Sequence, residues 1–389
     1  MILIRNGIVV TQDRSRRVLE GNVLAEEDTI ESVGKKADKS DMVIDANGMI
    51  VMPGLINMHT HVGMTSLRGM VDCSSLKSFL DQTMAFDSRN TNKMIKESTK
   101  IATEEMLSTG TTSFLDLYYS EDIIAEVASK SGLRAFLSWV TLDKEYTTQK
   151  GDPIRNAESF VRRYKGKGMV TPSFGLQGVY VCSKETIQQT DALAKKHGTI
   201  LHMHLAETEM EVKGHMKKYS SRPIEWMHKN GFLSKRLVAA HCVWANEKEN
   251  KMLAASGTTV VNNAISNARL GSGTAPIGDM INNRVNVTMG TDSAASNDSL
   301  DMFQTMKFSA LVNRLPAQAV LDAATVNAAR TLASGTGSIE SGKKADIIIL
   351  SRSASITPLS RQNAVNNIVF AASGKDVATS IINGKVVKG

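Results

Sequence analysis

The chain has 389 residues, 42% hydrophobic and 22% charged, which is ordinary for a globular protein and too long for one minimal domain. Its net charge of +7 is spread along the sequence with no basic block interleaved with aromatics, so a nucleic-acid-binding face is not expected. No run of about eighteen apolar residues is present, and Met1-Ile-Leu-Ile-Arg-Asn-Gly lacks the basic-then-apolar plan of a signal peptide, so neither a membrane span nor export is expected.

The first fifty residues read as short strands at 2–4, 7–10, 22–25, 29–33 and 42–44, separated by polar or glycine-containing links. The middle changes texture. Apolar runs at 55–59, 112–117, 134–140, 170–176, 199–205, 237–241, 258–261 and 285–289 are each followed by a helical or loop stretch. Helical spacing is visible at 93–108, 184–197, 223–230, 247–255 and 316–332. Strand–helix alternation repeated eight times predicts an α/β fold, a (β/α)8 TIM barrel over residues 54–335. A doubly wound open sheet would instead gather its ligand at one switch point. Here the chemical residues end several strands, which favours the barrel.

After the barrel the first texture returns. Ala345-Asp-Ile-Ile-Ile-Leu350 reads as a strand, and Ser380-Ile-Ile-Asn-Gly-Lys-Val-Val387 as two strands around an Asn-Gly turn. Residues 1–53 and 336–389 are therefore expected to pair into one small β-sandwich. The cysteines Cys73, Cys182 and Cys242 are far apart, odd in number and without a CxxC, as suits unpaired thiols in a reducing cytoplasm.

Chemistry concentrates at the predicted strand ends. His59-Thr-His61 follows the first barrel strand, and residues i and i+2 of a strand point to one side. His202-Met-His-Leu-Ala-Glu207 closes the fifth, His241 the sixth, and Asp292 follows the eighth in Met289-Gly-Thr-Asp292. Taken singly, each has an ordinary alternative as a core histidine or a capping aspartate. Together they all fall where a barrel builds its active site, which points to a metal held by histidine nitrogen and carboxylate oxygen.

The segments Pro53-Gly-Leu-Ile-Asn-Met-His-Thr-His61, Leu67-Arg-Gly-Met70, His202-Met-His-Leu-Ala-Glu-Thr208, Ala239-Ala-His-Cys-Val-Trp244, Ser266-Asn-Ala-Arg-Leu270 and Gly290-Thr-Asp-Ser-Ala-Ala-Ser-Asn297 resemble the amidohydrolase superfamily. Within it they are most similar to the branch of S-adenosylhomocysteine/5′-methylthioadenosine deaminases and s-triazine chlorohydrolases. The resemblance implies that His59, His61, His204 and Asp292 ligate one divalent ion, with zinc expected and iron or manganese the alternatives. It implies that Glu207 and His241 are an acid/base pair beside it, with Asp292 taking a proton from the attacking water. His202 is not a ligand in that pattern, and an outer or packing role is expected. Phe174-Gly-Leu-Gln177 stands where a two-metal relative would carry a bridging lysine, so one ion is expected.

The implied activity is an aminohydrolase that releases ammonia from a purine-like or other small heterocycle. The alternatives are a hydrolase removing chloride or an alkylamine from a triazine-like ring, and a barrel without catalysis. A homo-oligomer is compatible with the resemblance. Three departures from the adenosine-type pattern bear on the substrate. Asn262 replaces a histidine after the seventh strand, Gln177 replaces one after the fourth, and the loop after the first strand offers Cys73-Ser-Ser-Leu-Lys-Ser-Phe with Asp87 as its nearby carboxylate. Gln177, Asp87, Asn262 and Trp244 are the candidate substrate contacts. Segment 62–92 is expected to cover the barrel mouth, with Met64, Leu67, Met70, Phe79, Met84 and Phe86 as a candidate apolar lid.

Overall fold

The computed structural model describes residues 1–34, 40–72 and 76–389. Five strands come first, β1 (Ile2–Val10), β2 (Val18–Glu26), β3 (Thr29–Val33), β4 (Met42–Asp45) and β5 (Ile50–Pro53). The next eight are β6 (Leu55–Thr60), β7 (Thr111–Tyr118), β8 (Arg134–Thr141), β9 (Val170–Leu176), β10 (Leu201–Leu205), β11 (Leu237–His241), β12 (Thr259–Asn262) and β13 (Asn286–Met289). The chain ends with β14 (Ile347–Leu350), β15 (Val377–Ile382) and β16 (Lys385–Lys388).

The first five and last three strands form one eight-stranded sheet, joined where β5 pairs antiparallel with β14. Strand alternation gives this sheet two jobs. Val51, Ile347 and Ile349 face a small core with Ile4, Val9, Ile30 and Ile381. Their neighbours Ile50, Met52, Ile348 and Leu350 face the barrel. The expected pair of strands at 2–4 and 7–10 is a single strand, bulged between Ile4 and Gly7. The Asn-Gly turn is present, with φ of 53° at Asn383 and 71° at Gly384. Strand β5 was not anticipated.

Strands β6 to β13 run parallel in chain order and form the barrel. All eight expected runs are there, with ends shifted by a residue or two. The seam between β13 and β6 is bridged by three hydrogen bonds involving the residues just after β13. The Asn57 amide donates to Thr291 Oγ1 (2.7 Å) and accepts from Thr291 N (3.0 Å). Asp292 N then donates to His59 O at 2.9 Å. At the other end, Ile56, Met58, Phe136, Val238 and Val261 pack with Ala328 and Leu332 of helix Val326–Leu332. Thr331 of that helix bonds Thr259 and Asn286, which begin β12 and β13, so the helix lies across the N-terminal end of the barrel. The mouth at the C-terminal end is thus left for chemistry.

Two expectations are corrected. The single helix expected over 316–332 is two, Ala317–Ala324 and Val326–Leu332, broken at Thr325 (φ −132°, ψ −92°). Segment 62–92 contains a 3₁₀ turn, Val62–Leu67, and a helix, Leu76–Asp87, neither expected from periodicity. Cys182 and Cys242 are buried free thiols, while Cys73 lies outside the described residues. Among the described residues no helix is long and apolar enough to cross a membrane.

Candidate metal centre

The strand ends that meet at the mouth are bent. Ala206, His241, Cys242 and Asp292 all have positive φ (50°, 73°, 47° and 63°), a conformation that costs a non-glycine residue roughly 1–3 kcal/mol. Each bend is tied to its neighbour: Cys242 N donates to Leu205 O, Trp244 N to Ala206 O, and Asp292 N to His59 O. The bends turn side chains off the strands and toward the axis.

Four imidazoles and one carboxylate meet there. His59 Nε2 and His61 Nε2 lie 3.5 Å and 3.3 Å from Asp292 Oδ1. His204 Nε2 is 3.2 Å from His61 Nε2. One ligand-type atom from each of His59, His61 and Asp292 lies within 4.8 Å of the others, and the same holds for His59, His204 and His241.

The outer nitrogens decide what the inner ones can do. His61 Nδ1 donates to Leu117 O (2.5 Å) and His204 Nδ1 to Gln177 O (2.6 Å). His241 Nδ1 faces Asn267 Oδ1 (2.8 Å), and His59 Nδ1 faces His202 Nε2 (2.9 Å). With the proton fixed on Nδ1 of His61 and His204, each Nε2 presents a lone pair inward, the tautomer a metal needs. His59 Nε2 is buried with no hydrogen-bond partner at all. Burial, followed by the neighbouring imidazoles, holds His59 and His204 well below the ordinary histidine value, so both stay neutral. Burial raises Asp292, but the hydrogen bond and charge of His61 outweigh it; Asp292 in turn raises His61, and a cation would take the place of the proton between them. The neutral nitrogens of His59 and His204 beside the ionised oxygen of Asp292, with His59 Nε2 unsatisfied, fit a divalent cation. His202, lowered to about 3 by burial and by His61, backs the His59 ring.

Beside this point stand Glu207 and His241, with Glu207 Oε2 3.9 Å from His241 Nε2. Burial raises Glu207 above the usual carboxyl range, against the opposing pull of His241. Ser272 Oγ donates to Glu207 Oε1 (3.2 Å), and Ser266 Oγ to Asp292 Oδ2 (2.6 Å). Ser266, Asn267 and Ser272 were not singled out from sequence. Only the Ser266–Leu270 motif pointed to that segment.

A cavity of about 330 Å³ opens over the cluster, lined by His61, His204, Glu207, His241 and Asp292 at its base. Met64, Phe79, Leu80 and Met84 form an apolar wall, while Asp87, Gln177 and Tyr180 supply polar atoms. Tyr118 and Tyr119 hydroxyls both donate to Asp87 Oδ1. Burial raises Asp87 to about 6 despite these two donors. Of the expected lid, Met64, Phe79 and Met84 reach the cavity, whereas Leu67, Met70 and Phe86 do not line it.

Asn262 and Trp244 stand away from the cavity. Asn262 ends β12 with its amide turned outward to Ser309 (2.7 Å), and the next residue, Asn263, faces His241 Nδ1 instead (3.4 Å). The Trp244 indole donates to Ser272 O at 2.8 Å and does not line the cavity. Neither is placed to touch a substrate there.

Gly290 makes the convergence sterically feasible. A Cβ at 290 would sit 2.7 Å from His59 N and 2.8 Å from both His59 Cβ and Asn263 Oδ1. Gly290→Ala must push β13 away from β6, and is expected to lower stability by about 1–3 kcal/mol and to weaken metal retention. Urea unfolding with metal analysis checks this; an unchanged midpoint with full metal would contradict it.

A model of the amidohydrolase family matches residues 50–387 of the chain. A 5′-deoxyadenosine deaminase of Methanosarcina mazei is 36% identical, over 99% of this chain and 92% of its own. A 5-methylthioadenosine/S-adenosylhomocysteine deaminase of Thermococcus sibiricus is 35% identical, over 99% of this chain and 93% of its own. Among solved structures, a zinc-bound adenosine deaminase from Xanthomonas campestris superposes with a TM-score of 0.94 at 29% identity, covering 99% of this chain and 92% of its own.

Proposed function

Since the chain belongs to the amidohydrolase family, we propose that it is a zinc-dependent aminohydrolase that converts the amino group of an adenosine-type nucleoside to a carbonyl and releases ammonia. The observation that supports this is the meeting of two overlapping groups of ligand-type atoms, His59, His61 and Asp292 and His59, His204 and His241, at the base of a cavity that Glu207 also lines. The named activities of the relatives supply the substrate class.

His59, His61, His204 and Asp292 would hold the divalent ion, which when bound would lower the pKa of water from about 15.7 to about 7 and so supply the nucleophile. Asp292, kept ionised, takes a proton from the attacking water. His241, with Nδ1 against Asn267, turns Nε2 toward the same water and orients it. Burial raises Glu207 and so favours its protonated form, which gives its proton to a ring nitrogen as the adjacent carbon is attacked. The carbon then carries hydroxyl and amino groups together; Asp292 returns its proton to the amine, which leaves as ammonia, and the hydroxyl proton goes back to Glu207 as the carbonyl forms.

Among the polar groups lining the cavity, Asp87 and Gln177 are assigned to sugar hydroxyls, and Met64, Phe79 and Met84 to apolar parts of the substrate. The test is ammonia release from 5′-deoxyadenosine, 5′-methylthioadenosine, adenosine and S-adenosylhomocysteine by the zinc-loaded protein, with a chlorotriazine in parallel. Turnover of at least one nucleoside is expected. Chloride release alone would move the function to carbon–halogen hydrolysis. No turnover at one metal per chain would leave a barrel without this chemistry.

A further inference from the structure

Glu211 is nearly as buried as the metal cluster, at 8% exposure, yet it does not touch the candidate metal point. It lies in the first turn of helix Glu209–Tyr219, whose cap Thr208 accepts from Glu211 N at 3.1 Å. The Glu211 carboxylate folds back past this cap. Its Oε1 accepts from Ala206 N (2.9 Å) and its Oε2 from Glu207 N (2.8 Å). Each oxygen therefore serves one amide of the turn that carries Glu207.

That turn does not hold itself. Ala206 has a φ of 50°, which an alanine adopts only when its surroundings over-determine it. The other restraint is Trp244 N donating to Ala206 O at 3.0 Å, which ties the turn to the segment after His241. Glu211 and Trp244 thus fix the Glu207 backbone from opposite sides, and with it the 3.9 Å spacing between Glu207 and His241.

We propose that Glu211 is a positioning residue for the reaction: its carboxylate clamps the amides of Ala206 and Glu207 and so aims the Glu207 carboxyl at the substrate. This rests on Glu207 being the proton donor. Glutamine at 211 keeps one acceptor oxygen but turns an NH₂ toward the second amide, leaving a buried donor unpaired. Aspartate keeps both oxygens on a stem one carbon shorter.

The test is a cycle in the zinc-loaded enzyme: Glu211→Gln, Glu207→Gln and the double variant, with kcat, KM, metal content and melting temperature for each. Glu211→Gln is expected to retain one metal, to change KM by less than about threefold and to lose about 10²-fold in kcat, the usual effect of an ångström-scale misplacement. Because Glu211 acts through Glu207, the double variant should be no slower than Glu207→Gln alone. Glu211→Asp should recover part of kcat, and it takes the place of Glu211→Gln in the cycle if that variant does not fold. Wild-type kcat in Glu211→Gln, or losses that multiply in the double variant, would overturn the proposal while leaving the function intact. Full activity of Glu207→Gln would overturn the functional reading itself, and the role of Glu211 with it.

Discussion

Replacing Glu207 by glutamine should lower kcat by about 10²–10⁴ while the protein keeps one metal ion per chain. The two readouts separate because Glu207 faces His241 and Ser272, whereas the proposed ligands are His59, His61, His204 and Asp292. Glutamine is nearly isosteric and still accepts from Ser272, so the cavity keeps its shape. What disappears is a proton held by burial. Because burial raises the Glu207 pKa, the donor form persists above the ordinary glutamate range and is lost as pH rises through the raised value. The wild-type kcat therefore carries a falling alkaline limb that the glutamine variant lacks. Steady-state kinetics across pH, with metal analysis of the same samples, measure both. A variant that stays fully active with its metal in place would remove Glu207 from the chemistry.

Much of this arrangement was legible in the sequence, for a physical reason. Parallel barrel strands are buried on both faces, so runs such as Leu237–His241 stand out as apolar, and polar residues ending them are conspicuous. Four such ends gave the cluster. The apolar run is read only at 55–59, and strand β5, which only Gly54 separates from β6 and which serves the other sheet, goes unread. A Cβ at Gly54 would lie 2.1 Å from Thr112 Cγ2, a tertiary contact that periodicity cannot register. The break at Thr325 was equally silent, since three- and four-residue spacing continues through it.

The placement of Asn262 outside the cavity has a similar origin. Asn262 and Asn263 are adjacent, and which of them faces the axis depends on the last residue of β12, where one step exchanges inside for outside. The outer partners of the histidines, Leu117 O and Gln177 O, are backbone atoms and leave no trace in residue type. Glu211 did leave one. Thr208-Glu-Met-Glu211 has the spacing of a capping box, and only the structure shows its carboxylate reaching past the cap to the turn before it.

His204→Ala should abolish both metal retention and turnover, and the contrast with His202→Ala gives this its force. His204 presents Nε2 to the cluster, and removing it also strips Gln177 O of its donor. His202 offers only Nε2 to the back of His59, so its loss loosens one ring without deleting a nitrogen from the metal point. Outer partners of this kind usually account for about 10–100-fold in metal affinity, whereas a lost ligand leaves the set incomplete. Zinc titration followed by thermal unfolding reads the difference. Binding to the folded state alone raises its stability by RT ln(1 + [L]/Kd), so the wild type should melt higher with zinc and lower with a chelator. His202→Ala should need more zinc to reach the same rise, and His204→Ala should show no rise at any zinc concentration that the wild type saturates. Equal responses from the two variants would mean that residues 59, 61, 204 and 292 do not form the metal set.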